Sequence, residues 1–217
     1  MESTQFDRIF RRLATILAVA MLSLCLIYIT TGILLSFYYE PTAGGAYQSL
    51  KTINTQVPYG WLFRRAYDLA GNALIVVALV QIVVMFLGRQ FSKSWLTAWI
   101  SGIFLTLSVI GLDWTAMLLD WTQVGYWRFS IELGTIEAIP FIGGQVRDIL
   151  TGGGAITTVT VAHLYTIHSY ILAVAAIILA VVHLSALIWQ EQQMYVEAVA
   201  QSQSDNIQFL GASPVKS

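Results

Sequence analysis

Two histidines on the last apolar segment, His168 and His183, are the residues of this sequence best suited to coordination chemistry. At about 100° and ~1.5 Å per residue, the interval between them places both side chains near one face of a helix, ~22 Å apart along its axis. That separation fits two sites near opposite sides of a ~30 Å hydrocarbon core. The spacing is typical of a helix that supplies one axial ligand to each of two stacked tetrapyrroles. Hydrogen bonding inside a helix bundle is the alternative interpretation.

The elements that must position these histidines are membrane-spanning helices. The chain of 217 residues is 57% hydrophobic and 11% charged, whereas a soluble domain carries about 25% charged residues. Stretches without charge are long enough to cross a bilayer, for which ~20 residues suffice. There are four of them: 13–39, 69–88, 94–112 and 149–190. Membrane lipid is therefore the expected surrounding, and the net charge of -1 argues against a nucleic-acid partner.

The segment between the third and fourth spans has a different pattern. From residue 121 to 154, charged residues alternate with apolar ones, and Pro140 interrupts them. This pattern predicts one or two short amphipathic helices at the membrane interface. The predicted fold is an all-α, integral membrane bundle of four transmembrane helices. Its predicted parts are a charged lead-in (1–12), the membrane domain (13–190) and a polar C-terminal tail (191–217).

Two further features of the sequence, its single cysteine and the distribution of its basic residues, say little about function. Cys25 is the single cysteine and lies in the middle of the first span, so we expect it to pack rather than to form a disulfide or metal cluster. The basic residues divide almost evenly between the two sides, and the positive-inside rule therefore does not orient the bundle.

Ordered motifs run through the spans and the segments between them. They are Thr31-Gly32, Phe37-Tyr38-Tyr39-x-Pro41-Thr42, Gly60-Trp61-Leu62, Trp99-Ile100-Ser101-Gly102, Gln123-Val124-Gly125-Tyr126-Trp127, Glu137-Ala138-Ile139-Pro140 and Gly152-Gly153. In this pattern the chain resembles cytochrome b6, the four-span subunit of the photosynthetic quinol-oxidising complex, over about residues 20–190. It is identified as a divergent member of that family.

The resemblance implies that the second and fourth spans each provide two histidines, with each haem b iron held between one from each span. The fourth-span positions are His168 and His183, whereas the matching second-span positions hold Tyr67 and Gln81. Haem b with two histidine ligands is therefore expected to be absent. Tyr67 could ligate ferric iron as a phenolate or serve as an interface tyrosine. Gln81 is expected to hydrogen-bond between helices.

The resemblance also implies a small residue against each haem face. Gly32 and Gly102 keep the glycine of this pattern, while Ala18 and Ala116 each add a methyl group. An added methyl in a close-packed site typically costs ~1–3 kcal/mol when the surroundings cannot move. The methyl groups of Ala18 and Ala116 are therefore expected to weaken haem binding without excluding it.

At other positions matched to the family, some of the expected residues are present and others are replaced. Arg64 keeps a basic residue expected to contact a haem propionate, whereas two further basic positions hold Val84 and Ile188. The cysteine that anchors an additional c-type haem in the family corresponds to Ile16. A covalent c-type haem is therefore expected to be absent.

The segment beside the family's quinol oxidation site is better kept. It retains Glu137, Pro140 and Asp148, so quinone contact is expected near them, together with other subunits of a membrane complex. Asp113 would need a partner or a proton within the membrane. Asp120 could relay protons or pair with an arginine.

Two functional hypotheses follow from the altered ligand set. The favoured one is a non-redox structural, assembly or regulatory subunit of a photosynthetic or respiratory membrane complex. Such a subunit could bind chlorophyll, whose magnesium commonly takes one axial ligand. The alternative is a haem b electron-transfer subunit with His/Tyr, His/Gln or five-coordinate haems. In both cases the chain is not an enzyme by itself, and the resemblance places it in a thylakoid or bacterial plasma membrane.

Overall fold

A computed structural model describes residues 5–88 and 95–211, and the predicted all-α fold is confirmed there. The ends of the predicted lead-in and tail, 1–4 and 212–217, lie outside the described residues. The described helices are, in order, α1 (Gln5–Ser36), α2 (Ala46–Thr55), α3 (Gly60–Leu87), α4 (Leu96–Leu119), α5 (Gln123–Glu137), α6 (Gly143–Thr151), α7 (Thr158–Thr166) and α8 (Ala173–Gly211), with the π-helical segment Ile167–Leu172 joining α7 to α8.

Four of these helices are long and apolar enough to cross a membrane, as predicted: α1, α3, α4 and the continuous run from α7 into α8. In hydrocarbon every backbone N–H and C=O needs an internal partner, so apolar runs of this length fold as helices. Both α3 and α4 extend past the predicted stretches 69–88 and 94–112. They do so because they include Arg64, Asp68 and Asp113, which a charge-free stretch leaves out by definition.

The four spans form a ring. Helix α1 packs against α3 and α8, and α4 packs against the same two helices. Helices α3 and α8 therefore stand on opposite sides of the ring, and side chains from them meet across its centre. This arrangement brings the second-span and fourth-span positions of the predicted sites together.

The core has three layers along the bundle. The central layer includes Met21, Leu74 and Leu105, with Ala176 and Ala180 allowing close packing of α8. One end layer is formed around Ala14, Ala18 and Trp95, and the other around Phe129 and Leu164. The two retained histidines lie at the boundaries between the central layer and the end layers.

The connections are fixed by close backbone contacts and caps. A Cβ on Gly60 would lie 2.0 Å from the Ile53 carbonyl oxygen, so only glycine lets α2 fold against the start of α3. Thr122 caps α5 by accepting a hydrogen bond from the Gly125 backbone N–H. Gly152 ends α6 with a φ of 75°, a left-handed conformation that favours glycine. The prediction of one or two short helices between the third and fourth spans is thus confirmed, and there are two, α5 and α6.

Candidate functional site: two histidine-centred hydrogen-bond networks

The first site is built around His168, which lies in the π-helical segment and is 7% exposed. Its Nε2 atom is 2.8 Å from the Tyr67 hydroxyl. A second tyrosine, Tyr28 of α1, places its hydroxyl 2.7 Å from that of Tyr67 and 3.4 Å from the same histidine nitrogen. π-helical turns are rare and frequently occur at functional sites. At this site, Tyr67 of α3 and His168 of the fourth span are in direct side-chain contact across the bundle.

The hydrogen bonds at His168 have a defined direction. Thr115 donates its hydroxyl hydrogen to the Gly111 or Leu112 carbonyl, at 2.8 and 3.0 Å. Its oxygen must therefore accept from His168 Nδ1, which is 2.8 Å away. With the ring hydrogen on Nδ1, the Nε2 atom accepts from Tyr67, and Tyr67 in turn accepts from Tyr28. The nitrogen that would bind a metal is thus engaged by a phenol.

Small residues make room for the two tyrosines. The rings of Tyr28 and Tyr67 are stacked with their centroids 4.3 Å apart. A Cβ on Gly32 would lie 3.2 Å from the Tyr67 ring, and one on Gly71 would lie 2.9 Å from the Tyr28 ring. The glycine kept at position 32 therefore accommodates a tyrosine side chain.

The second site is built around His183, which is fully buried, as is Gln81. The Gln81 Nε2 atom lies 2.9 Å from His183 Nε2. On the other side of the ring, His183 Nδ1 lies 2.9 Å from the Ala98 carbonyl oxygen, to which it donates. The ring hydrogen is therefore on Nδ1, and Nε2 accepts from the amide. The Gln81 Oε1 atom has no hydrogen-bond partner within the described part of the chain.

Residues of α4 enclose the His183 ring. A Cβ on Gly102 would lie 2.9 Å from His183 Cε1, so the imidazole occupies the space that this glycine leaves. Ser101 donates to the Thr97 carbonyl at 2.7 Å, and its oxygen lies 3.3 Å from His183 Nδ1. Both ring nitrogens of His183 are thus satisfied by protein groups.

Arg64 belongs to an ion-pair network at the end of the bundle where α3 begins and α4 ends. It bonds Asp68 at 3.2 Å and Asp120 at 2.7 Å. Asp120, for which proton relay and arginine pairing were both open, is paired with an arginine. Asp113 is exposed on α4 and forms no ion pair with the described residues.

A cavity of about 210 Å³ adjoins the first site. Its wall includes Arg64, Asp120, Tyr67, His168 and Gly32. A cavity of ~150 Å³ accommodates benzene, so this space holds about one substituted six-membered ring. A tetrapyrrole, which joins four rings, is larger than this cavity.

These contacts do not fit a haem iron held at either histidine. An iron between two axial ligand atoms separates them by about 4 Å, twice a metal–nitrogen bond of ~2 Å. Here the facing atoms are 2.8 Å apart at His168 and 2.9 Å apart at His183, and they are hydrogen-bonded to each other. Haem binding would require the Tyr67 and Gln81 side chains to leave these positions. Within residues 5–88 and 95–211, no group of three or more His, Cys, Asp or Glu side chains forms an alternative metal site.

The residues expected near a quinone lie around the connection between α5 and α6. Arg147 bonds Glu137 at 2.5 Å and Asp148 at 2.8 Å, so it joins two of the three expected residues. Hydrogen bonds to Asp148 and Glu137 raise the pKa of the Arg147 guanidinium. Pro140 is exposed in the turn between the two helices.

Sequence reasoning singled out Tyr67, Gln81 and both histidines but missed three residues that contact them: Tyr28, Ser101 and Thr115. A signal for two of these was present, because Ser101 and Thr115 each directly precede a small residue of the predicted pocket. The interval between them also returns to almost the same helix face. Tyr28 had no comparable signal.

Comparisons with known proteins agree on one family. The family model described as cytochrome b/b6/petB matches residues 10–191. The chain is 33% identical to cytochrome b6 of Cyanidium caldarium over 158 residues, which cover 73% of this chain and 74% of the relative. It is also 33% identical to cytochrome b6 of Mastigocladus laminosus over 147 residues, 68% of each chain.

A solved structure titled hyperthermophilic respiratory Complex III shows the same fold. It aligns with a TM-score of 0.70 at 23% identity and covers 86% of this chain. This chain spans about half the length of that one, 48%.

Proposed function

This chain belongs to the cytochrome b/b6 family, and from that premise we propose that it is a non-redox subunit of a photosynthetic or respiratory electron-transport complex. It is an integral membrane protein with four spans, and its role in the complex is structural, in assembly or in regulation. Its relatives are named cytochrome b6, which points to a thylakoid or bacterial plasma membrane. The chain alone is not an enzyme.

One observation supports this proposal above the others: both retained histidines use Nε2 to accept a hydrogen bond from a protein side chain. The partner of His168 is Tyr67 and the partner of His183 is Gln81. In each pair the residue that replaces a family histidine fills the space between the helices. In this proposal, the two histidines at the family's ligand positions join α3 to the fourth span through hydrogen bonds, which matter more where water cannot replace them.

The alternative, an electron-transfer subunit with one unusual haem, is favoured by a single observation. The cavity at His168 retains Gly32 and Arg64 in its wall. A five-coordinate haem or a chlorophyll at His168 would need the Tyr67 hydroxyl to leave the Nε2 atom. A cavity of about 210 Å³ would also have to expand by outward movement of the Tyr28–Tyr67 stack.

The test is a visible spectrum and a pyridine haemochrome assay on the chain purified in mild detergent with haem supplied during expression. We expect less than about a tenth of a haem per chain, since neither histidine has a free Nε2 atom for iron. Extraction of pigments into acetone checks for chlorophyll in the same sample. A reduced α-band corresponding to one or two haems per chain would refute the non-redox function.

A further inference from the structure

The cavity beside His168 borders the lipid-facing surface of the bundle. Its wall includes Ile33 of α1 and Tyr170 of the π-helical segment, whose side chains are 55% and 66% exposed. Both residues belong to candidate membrane spans, so their exposed surfaces face lipid. A molecule dissolved in the membrane therefore has access to the cavity between α1 and the fourth span.

The size and the aromatic wall of the cavity fit a single ring. The volume of about 210 Å³ exceeds the ~150 Å³ that accommodates benzene. Aromatic side chains pack against another ring in stacked or edge-to-face arrangements. Five tyrosines contribute to this wall: Tyr28, Tyr39, Tyr67, Tyr165 and Tyr170.

Two charged residues in the wall retain unused hydrogen-bonding atoms. Arg64 bonds Asp68 through Nε and Asp120 through Nη2. Its Nη1 atom forms no hydrogen bond with the described residues, and the same is true of Asp120 Oδ2. A guanidinium only donates and a carboxylate only accepts. A free donor and a free acceptor are thus carried by two paired side chains of the same wall.

This pair of charged residues selects the chemistry of the ligand. A hydroxyl group both accepts and donates, so it satisfies Arg64 and Asp120 together. A ring carbonyl only accepts, and it would leave the carboxylate without a hydrogen. An anion is disfavoured because the arginine is already accompanied by two carboxylates, Asp68 and Asp120.

The hydrogen-bond network at His168 does not compete for such a hydroxyl. Tyr28 donates to Tyr67, and Tyr67 donates to His168 Nε2, so the hydrogens of both phenols are already used. The polar group of a ligand is therefore expected at Arg64 and Asp120. These two residues lie close to the start of α3 and directly after α4, near the membrane surface.

We propose that the cavity binds a neutral phenol that carries one hydroxyl group and an apolar tail. The hydroxyl accepts from Arg64 and donates to Asp120, and the ring packs among the tyrosines. Ile29 and Ala173, which are also in the wall, lie deeper in their spans than Arg64 does. The tail follows these apolar residues towards the lipid, which is the orientation of an amphiphile in a membrane.

The experiment measures binding of tritium-labelled para-octylphenol to the full chain in lipid nanodiscs, with nanodiscs that lack protein as the correction for partitioning. We expect saturable binding of about one phenol per chain, since one ring fills a cavity of this size. Competition by unlabelled para-octylanisole, which keeps the oxygen but lacks its hydrogen, should be about tenfold weaker. Octylbenzoquinone, which has carbonyl oxygens only, should also compete about tenfold less well.

A pair of variants on the fourth span locates the bound phenol. Ala173→Phe places a ring in the cavity wall and should reduce the affinity at least about tenfold, since the new side chain takes the space of the ligand. Val174→Phe is the matched control, because Val174 is 48% exposed and is not in that wall. It should leave the affinity unchanged.

Three results would overturn the proposal. The first is binding that does not exceed partitioning into nanodiscs without protein. The second is equal competition by the phenol, its methyl ether and the quinone. The third is binding that Ala173→Phe leaves unchanged in a chain that folds normally. The haem content of the same sample separates this proposal from the non-redox function: a haem-free chain that binds no phenol contradicts this proposal alone, and a chain with one haem contradicts the function.

Discussion

Replacing Tyr67 with histidine is expected to raise the haem b content of the purified chain from below a tenth to about one haem per chain. The change puts a second imidazole opposite His168. It also removes the phenol ring, which approaches the position of a Gly32 Cβ to 3.2 Å. The smaller side chain enlarges a cavity whose wall already includes Arg64. We therefore expect one substitution to be enough to reopen this site.

Two variants serve as controls for the gain of haem. Tyr67→Phe frees the His168 Nε2 atom without supplying a ligand, and we expect no gain of haem from it. Gln81→His supplies a ligand at the second site, but there His183 is packed against Gly102, where a Cβ would lie 2.9 Å from the His183 Cε1 atom. We expect a smaller gain at that site. If Tyr67→His folds normally and takes up no haem, then the altered ligand is not what keeps haem out of the first site.

Removing the second histidine is expected to destabilise the bundle by about 3 kcal/mol, because two losses combine. In His183→Leu the Gln81 amide, which is fully buried, loses the one side-chain hydrogen bond that it makes with the described residues. An unpaired buried polar group costs ~1–3 kcal/mol. Imperfect packing of the new side chain adds to that loss. The measurement is the free energy of unfolding in bicelles, by steric trapping or denaturant titration.

The double variant His183→Leu with Gln81→Leu separates the hydrogen bond from packing. Replacing both partners of a buried hydrogen bond by apolar groups can be nearly neutral, so we expect the double variant to regain most of the loss. Additive losses in the two single variants and the double variant would show that His183 and Gln81 do not stabilise each other.

The spans could be predicted because lipid demands apolar helices, and the charge-free runs are long enough to satisfy that demand. Their ends could not be predicted as well. Arg64 and Asp68 lie inside α3, where Arg64 pairs with Asp68 and, across to α4, with Asp120. Pairing across helices is invisible in one sequence. The end of α8 was also not predictable, because the helix continues to Gly211 through the polar residues that follow Gln190.

The residues of the candidate site could also be predicted in part. The spacing of His168 and His183 put both on one side of a helix, and the family pattern named Tyr67 and Gln81 as the residues opposite. The sequence could not show that these residues touch the histidines directly, because contact depends on how closely α3 and α8 approach. The π-helical segment was also not predictable, since an extra residue in one turn leaves no periodic signal.

The ring of four spans explains how the family fold persists without its usual ligands. In each site a hydrogen bond joins α3 to the opposite helix at the level where an iron would otherwise join them. The glycines that the resemblance assigned to haem faces now pack against Tyr67 and His183. Under the proposed function, the substitutions on α3 would replace a cofactor's contribution to packing as well as removing its ligands.

The most direct test of this account is the ¹⁵N spectrum of the histidine rings in the full chain, labelled with ¹⁵N-histidine and reconstituted in lipid. His168→Gln and His183→Gln variants assign the signals. The account predicts diamagnetic rings for both residues, each with its hydrogen on Nδ1 and with Nε2 accepting a hydrogen bond from Tyr67 or Gln81. Nitrogen signals shifted or broadened by iron at either residue would contradict it.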